Sequence, residues 1–277
     1  MFQSIQKYKF FQLLITITFL IFNNKNGEKL LVTLTSFKDR ITKINRTLEI
    51  LLNNTIKIDR LILNLAIEEF PNKLSDLPNN ILNLLKRYHN FEIYWVEKDI
   101  KVFKKLIPTI NRFKNDLIVT VDDDILYPRD MLEKMLNCYK KYGSRYPVSF
   151  GGPNSDWNIN GHLIYSHFGA GSIVKYKYFN DKMKILYEFT TKDLINKGIK
   201  CFDDVLYTYS ALLNGYHYKR CKEYSISSYI QNSPKLPNPF SQNYNKQIRK
   251  LVYNYHNIIQ SFIKIKYNIN INDLVKE

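Results

Sequence analysis

The chain has 277 residues, of which 45% are hydrophobic and 24% charged. A chain of this length and balance can bury a full core, so it needs no disulfide or metal staple to fold, and it suits one sizeable domain with appendages or two small ones. Lys and Arg number 41 against 25 Asp and Glu, a formal net charge of +16. A surface this basic attracts phosphates on nucleotides, nucleic acids or anionic lipids. The abundance of Asn, Lys, Ile and Tyr also matches AT-rich coding, which accounts for part of the charge. The three cysteines, Cys138, Cys201 and Cys221, form no CxxC pair and no zinc spacing, and they read as reduced, mostly buried thiols.

Residues 10–22 (FFQLLITITFLIF) form an apolar run behind Lys7 and Lys9. A spanning helix needs about 20 apolar residues, so the run is short for that. A basic flank with a short apolar stretch fits a signal peptide or short anchor, although no small-residue cleavage site follows. The other reading is a buried strand or helix. The expected organisation is an N-terminal apolar segment over 1–28, a catalytic domain over 29–232, and a linker with a basic amphipathic helix over 233–277. The expected location is cytoplasmic, or membrane-associated through the apolar segment.

From residue 30 the pattern alternates. LLVTLT at 30–35 reads as a buried strand, and 42–53 fits a helix with Ile44, Leu48, Leu51 and Leu52 on one face. RLILNLA at 60–66 is a second strand, 79–88 a helix and FEIYWV at 91–96 a third strand. Residues 103–113 read as helical with a break at Pro108. LIVTV at 117–121 is a fourth strand, and Pro128 opens a helix to about 142. The second half is less regular. It has a Gly- and Asn-rich loop at 151–161, a Gly-Ala-Gly turn at 169–171, a helix over 204–213, prolines at 234, 237 and 239, and a closing helix. That closing helix carries Lys246, Arg249, Lys250 and Lys264 and an apolar stripe including Tyr255, Ile259 and Phe262. Docking on the core is its plain reading; contact with an anionic membrane surface is the sharper one. Strands alternating with helices predict an α/β protein with a mostly parallel sheet and helices on both faces, binding ligands at the carboxyl ends of its strands.

The fourth strand ends in Asp122, Asp123 and Asp124. Three adjacent carboxylates repel one another, and in extended chain Asp122 and Asp124 face one side. Mg²⁺ and Mn²⁺ favour one or two carboxylates together with phosphate oxygens. The triplet therefore reads as a bridge through a dication to a diphosphate, against the plain reading of a solvated acidic turn before a helix. A prenyl-diphosphate DDxxD motif would sit inside a helix, whereas a strand precedes this one.

LTSFKDRI at 34–41, DRLILNLA at 59–66 with EEFP at 68–71, KKLIP at 104–108 and VTVDDDI at 119–125 recur in an order that resembles microbial glycosyltransferases of the GT-A fold, a family 2-like, DxD-containing group. The resemblance spans about 30–216. It implies a Rossmann-like GT-A domain transferring a sugar, with inversion, from a nucleotide-diphosphate sugar such as a UDP-sugar to a glycan, lipid-linked or protein acceptor, with Mn²⁺ or Mg²⁺. It implies that Ser36, Arg40 and Asp123 lie near the nucleotide and that Lys105 approaches the diphosphate or the donor sugar. Asp122 would sit near the ribose or the metal, Asp124 would be the main metal ligand, and Gly169 and Gly171 would line donor and acceptor. The family often continues past that glycine turn with Tyr-Pro-Pro, where this chain has Gly171-Ser-Ile-Val-Lys-Tyr176. Asp203 and Asp204 resemble the family's acidic pair at a helix start. Asp204 is the first choice for the base that takes the acceptor proton and Asp203 the second, while an N-cap is the plain reading of Asp203. His217 is a candidate late metal ligand, and Trp157 a candidate sugar-stacking residue.

Two other classes remain. A metal-dependent nucleotidyl or phosphoryl transferase also uses clustered carboxylates, but no GxxxxGK[ST] loop is present. A basic nucleic-acid-binding protein fits the charge, but no zinc-finger or RNP-like motif appears, and nucleic acid is not an expected partner.

Overall fold

A computed structural model of the chain describes residues 27–150, 169, 171–192, 194, 203–221 and 247–274, the side chains of 247–252 and 272 excepted. The apolar runs pair into one sheet. β1 (Leu30–Thr35) lies between β2 (Arg60–Ala66) and β4 (Leu117–Thr120), and β3 (Phe91–Val96) forms one edge. These four strands are parallel, with Thr33 opposite Ile62 on one side and Thr120 on the other. β6 (Ser172–Val174) then runs antiparallel to β4, followed by β5 (Val148–Ser149) and β7 (Lys219–Arg220), giving the order β3-β2-β1-β4-β6-β5-β7.

Helices cover the sheet because their apolar residues recur at helical spacing. α1 (Asn45–Leu52) buries Thr47, Leu48 and Leu51, and α2 (Asn79–Arg87) buries Ile81 and Leu84. α3 (Ile107–Arg112) carries its proline in the first turn, where the missing N–H costs no hydrogen bond. The helix expected over 103–113 is therefore two pieces, a 3₁₀ turn at Lys101–Lys105 and then α3. α4 (Met131–Lys141) starts three residues after Pro128, not at it. α5 (Lys182–Leu186) continues into a π-helical turn at Tyr187–Thr191, and α6 (Asp203–Leu212) is almost wholly buried.

The closing helix forms as α7 (Gln247–Tyr267) and docks on the core. Tyr255, His256, Ile259 and Ile263 are buried. The Tyr255 and Thr191 hydroxyls lie 2.5 Å apart, and the Tyr209 hydroxyl lies 3.0 Å from His256 Nδ1.

Two expectations are corrected. Cys138, at the end of α4, and Cys221, just after β7, are joined in a disulfide rather than reduced. Their separation of 83 residues hides a pairing that only the folded sheet brings within reach, with Cα atoms 5.9 Å apart. Location through a membrane-crossing anchor is not supported: among the described residues no helix is long and apolar enough to cross a membrane. Residues 10–22, the loop at 151–161 with Trp157, Cys201 and the prolines at 234–239 lie outside the described residues.

Candidate active site

Successive strands β1, β2 and β3 are laid down to one side, and β4 returns to the other side of β1. This reversal makes the carboxyl ends of β1 and β4 the switch point, where open α/β sheets bind ligands. Ser36 and Arg40 follow β1, and the acidic triplet follows β4. β4 ends at Thr120, one residue earlier than expected, although the Val121 N–H still donates to the Thr33 carbonyl at 3.1 Å. The triplet therefore sits in a turn, anchored at its base by the sheet.

The carboxylates divide between two cations. Arg40 Nη1 donates to Asp123 Oδ1 at 2.6 Å and lies 3.2 Å from Asp124 Oδ2. Lys105 Nζ lies 2.5 Å from Asp122 Oδ1 and 3.2 Å from Asp203 Oδ2. The Asp123 side chain is only 5% exposed, whereas Asp122 and Asp124 keep 34% and 30%, so these two present oxygen outward and Asp123 serves as the buried anchor. The early acidic triplet and the late acidic pair thus meet through one ammonium.

Electrostatics in the cluster are strained toward excess negative charge. Burial pushes the Asp124 carboxyl up to about 6, and repulsion from Asp122 and Asp123 adds to it against the pull of Arg40. Burial likewise raises Asp203, with Asp204 and Asp122 adding to the rise and Lys105 opposing it. Burial raises Asp123 too, against Arg40 and Ser36. Burial disfavours charge on Lys105, yet Asp122, Asp203 and Asp204 hold its ammonium well above the usual lysine value.

The glycines are explained by contact. A Cβ built on Gly169 would fall within the Asp122 carboxylate, and Gly171 has a φ of +110° with Met135 Sδ 3.1 Å from where a Cβ would stand. Tyr127, part of the Tyr-Pro flank that follows the triplet but given no role of its own from sequence, ties these pieces together. Its buried hydroxyl accepts from the Asp122 N–H at 2.7 Å and donates to the Gly169 carbonyl at 2.5 Å. The tyrosine five residues after Asp122, next to Pro128, was the available signal.

Lys105 is also held through its backbone. Its carbonyl accepts from the Thr33 hydroxyl at 2.8 Å inside a buried set with Thr109 and Asn64. Asp99 pairs with both Lys101 and Lys104 on the same turn. Asp204 follows Asp203 in the first turn of α6 and is more exposed. His217 is half-buried ahead of β7 and, among the described residues, joins no metal-binding group.

Would a dication fit? Among the described residues no group of three or more His, Cys, Asp and Glu side chains forms a metal cage. The network nonetheless sets four carboxylates (Asp122, Asp123, Asp124 and Asp203) against two cations. The excess of carboxylates over cations, with Asp122 and Asp124 partly exposed, suits an ion such as Mg²⁺ or Mn²⁺ that takes one or two carboxylates and completes its shell with phosphate oxygens and water. The residues fit such an ion.

No family model matches the chain, and no curated protein sequence matches it significantly. Solved structures do. The mannosyltransferase PcManGT from Pyrobaculum calidifontis, in complex with GDP-Man and Mn²⁺, aligns with a TM-score of 0.50 at 12% identity over 89% of this chain and 78% of its own. S. aureus TarS 1-349, in complex with UDP-GlcNAc, aligns at 0.47 and 12% identity over 85% of this chain and 66% of that one. The 4-diphosphocytidyl-2C-methyl-D-erythritol synthase from Anaerococcus prevotii aligns at 0.43 and 12% over 70% and 88%. At such identities the likeness concerns the fold. Together with the strand order it defines a GT-A-type, Rossmann-like fold of the nucleotide-diphospho-sugar transferase kind.

Proposed function

We propose that this protein is a divalent-cation-dependent glycosyltransferase that uses a nucleotide-diphosphate sugar, such as a UDP-sugar, as donor. The observation that carries the reading is the convergence of Asp122, Asp124, Lys105, Arg40 and the Asp203–Asp204 pair at the switch point of this sheet. The five pieces come from four separate sequence segments, and a solvated helix-capping turn would not require them to meet.

Asp122 and Asp124 would hold the dication, which supplies charge neutralisation for a departing diphosphate. Ser36, Arg40 and Asp123 form the wall beneath the nucleotide. Lys105 brings a fixed positive charge to the same place, where leaving-group charge develops. Gly169 and Gly171 let the backbone approach the donor closely. Asp204, more exposed than the buried Asp203 beside it, is the carboxylate assigned to take the acceptor proton. In the transfer, an acceptor hydroxyl oxygen forms a bond to the anomeric carbon while that carbon's bond to the diphosphate oxygen breaks. The hydroxyl proton passes to the Asp204 carboxylate and the bonding electrons leave on the nucleoside diphosphate. Attack opposite the leaving group inverts the anomeric centre. The acceptor is a hydroxyl of a glycan, a lipid-linked glycan or a protein side chain.

Thermal unfolding of the full chain with and without UDP and Mn²⁺ tests this reading. Both together should raise the midpoint, and Asp124→Ala should abolish the rise. An equal rise in that variant would place the cation elsewhere.

A further inference from the structure

The acidic turn already holds a cation of its own. Lys105 Nζ lies 2.5 Å from Asp122 and 3.2 Å from Asp203, and its side chain is only 7% exposed. Its backbone is not free to withdraw. Thr33 fixes its carbonyl, Asp99 grips Lys101 and Lys104 in the same turn, and the Lys104 side chain is itself buried. Only the terminal methylenes of Lys105 can redistribute the ammonium between its two carboxylates. Asp122 is equally restrained, since its N–H is bound to Tyr127 and its carboxylate lies against Gly169. Asp122 therefore takes a second cation only against the repulsion of a Lys105 ammonium held at contact distance, because two cations on one carboxylate repel each other.

We propose that Lys105 is a built-in counter-ion that competes with a divalent cation for Asp122, with Asp203 as the alternative seat for its ammonium. The inference rests on the cation-binding reading of the turn and extends it to regulation. Without a dication, Lys105 neutralises Asp122 and keeps the turn folded. When a dication is taken up with the nucleotide, Lys105 settles on Asp203. The arrival of the cation is thereby coupled to the pairing of Asp203, beside Asp204.

The test is a titration of the full chain with Mn²⁺ alone, following free Mn²⁺ by electron paramagnetic resonance. It is run in about 1 M KCl, where the Debye length is about 3 Å and distant charge changes are screened while contact competition persists. Lys105→Met should bind Mn²⁺ on the order of tenfold more tightly than the unaltered chain. Equal or weaker binding by a folded variant overturns the proposal. Asp203→Asn moves the other way: with its alternative seat weakened, Lys105 stays on Asp122 and Mn²⁺ binding should fall several-fold. Unchanged or tighter binding there overturns the proposal even if Lys105→Met does not fold. If the unaltered chain binds Mn²⁺ with UDP present but neither variant shifts affinity, competition is rejected and the cation site stands. If no form binds Mn²⁺ with or without UDP, the cation-binding reading itself fails.

Discussion

Gly169 and Asp122 are in such close contact that the smallest side chain on one would occupy the carboxylate of the other. The two residues belong to segments 47 positions apart, and Tyr127 locks them together through both of their backbones. The outward carboxylate of the acidic turn is thus aimed by a glycine.

Gly169→Ala should therefore leave the fold intact by circular dichroism while displacing Asp122. The rise in melting midpoint given by UDP with Mn²⁺ should be lost or much reduced. A full rise in Gly169→Ala would show that Asp122 takes no part in binding.

Tyr127→Phe removes one hydroxyl and keeps the ring. It leaves the Asp122 N–H and the Gly169 carbonyl without their partner, a loss of about 1–3 kcal/mol in unfolding free energy. Urea unfolding measures it. A change below a few tenths would mean that water replaces the hydroxyl at no cost.

Asp204→Asn should retain nucleotide binding, because the residues proposed to hold the diphosphate and its cation are untouched. Transfer to any acceptor should fall about 100- to 10,000-fold, the usual contribution of a positioned base. Undiminished transfer would assign the proton to Asp203 or to water.

The disulfide between Cys138 and Cys221 ties α4 to the far edge of the sheet. Replacing both cysteines by alanine, or reducing the bond, should lower stability by about 2–4 kcal/mol. Denaturant unfolding with and without reductant reads the difference, and identical curves would exclude the cross-link.

His256 gives a pH dependence of known sign. Burial pushes its pKa down from 6.5 to about 4. The unfolded chain then binds a proton in that window that the folded chain refuses. The stability due to the neutral ring is full above about pH 6.5 and is lost as pH falls toward 4, amounting to about 3 kcal/mol. Asp203 and Asp124 are shifted upward and contribute the opposite slope. The difference between the native chain and His256→Gln therefore isolates the imidazole. Parallel stability–pH curves for the two would remove burial of His256 as a source of acid sensitivity.

The four parallel strands were legible because β1 to β4 are buried or half-buried runs of β-branched and apolar residues with sharp polar ends. Residues 60–66 and 91–96 form strands at the positions read from their composition. The acidic turn was legible for a related reason: three carboxylates after an apolar strand break the pattern conspicuously. The alternation that pairs Asp122 with Asp124 also survives in their shared exposure, although the backbone there is a turn. The roles of Tyr127, Thr33 and Asp99 were not legible, although the Tyr-Pro flank marked the position of Tyr127, since a strand threonine and a loop aspartate are ordinary at such places and a tyrosine's partners are not written beside it. Their roles depend on partners 42, 72 and two to five residues away.

Local sequence determined which segments became strands and helices and where negative charge would gather, because hydrophobic periodicity and like-charge crowding act between near neighbours in the chain. Tertiary structure alone decided which cation answers each carboxylate, Arg40 for Asp123 and Asp124, Lys105 for Asp122 and Asp203. It also decided that Cys138 meets Cys221. Ion pairs and disulfides require atoms within a few ångströms, and no spacing along the chain encodes which distant residues the sheet will bring that close.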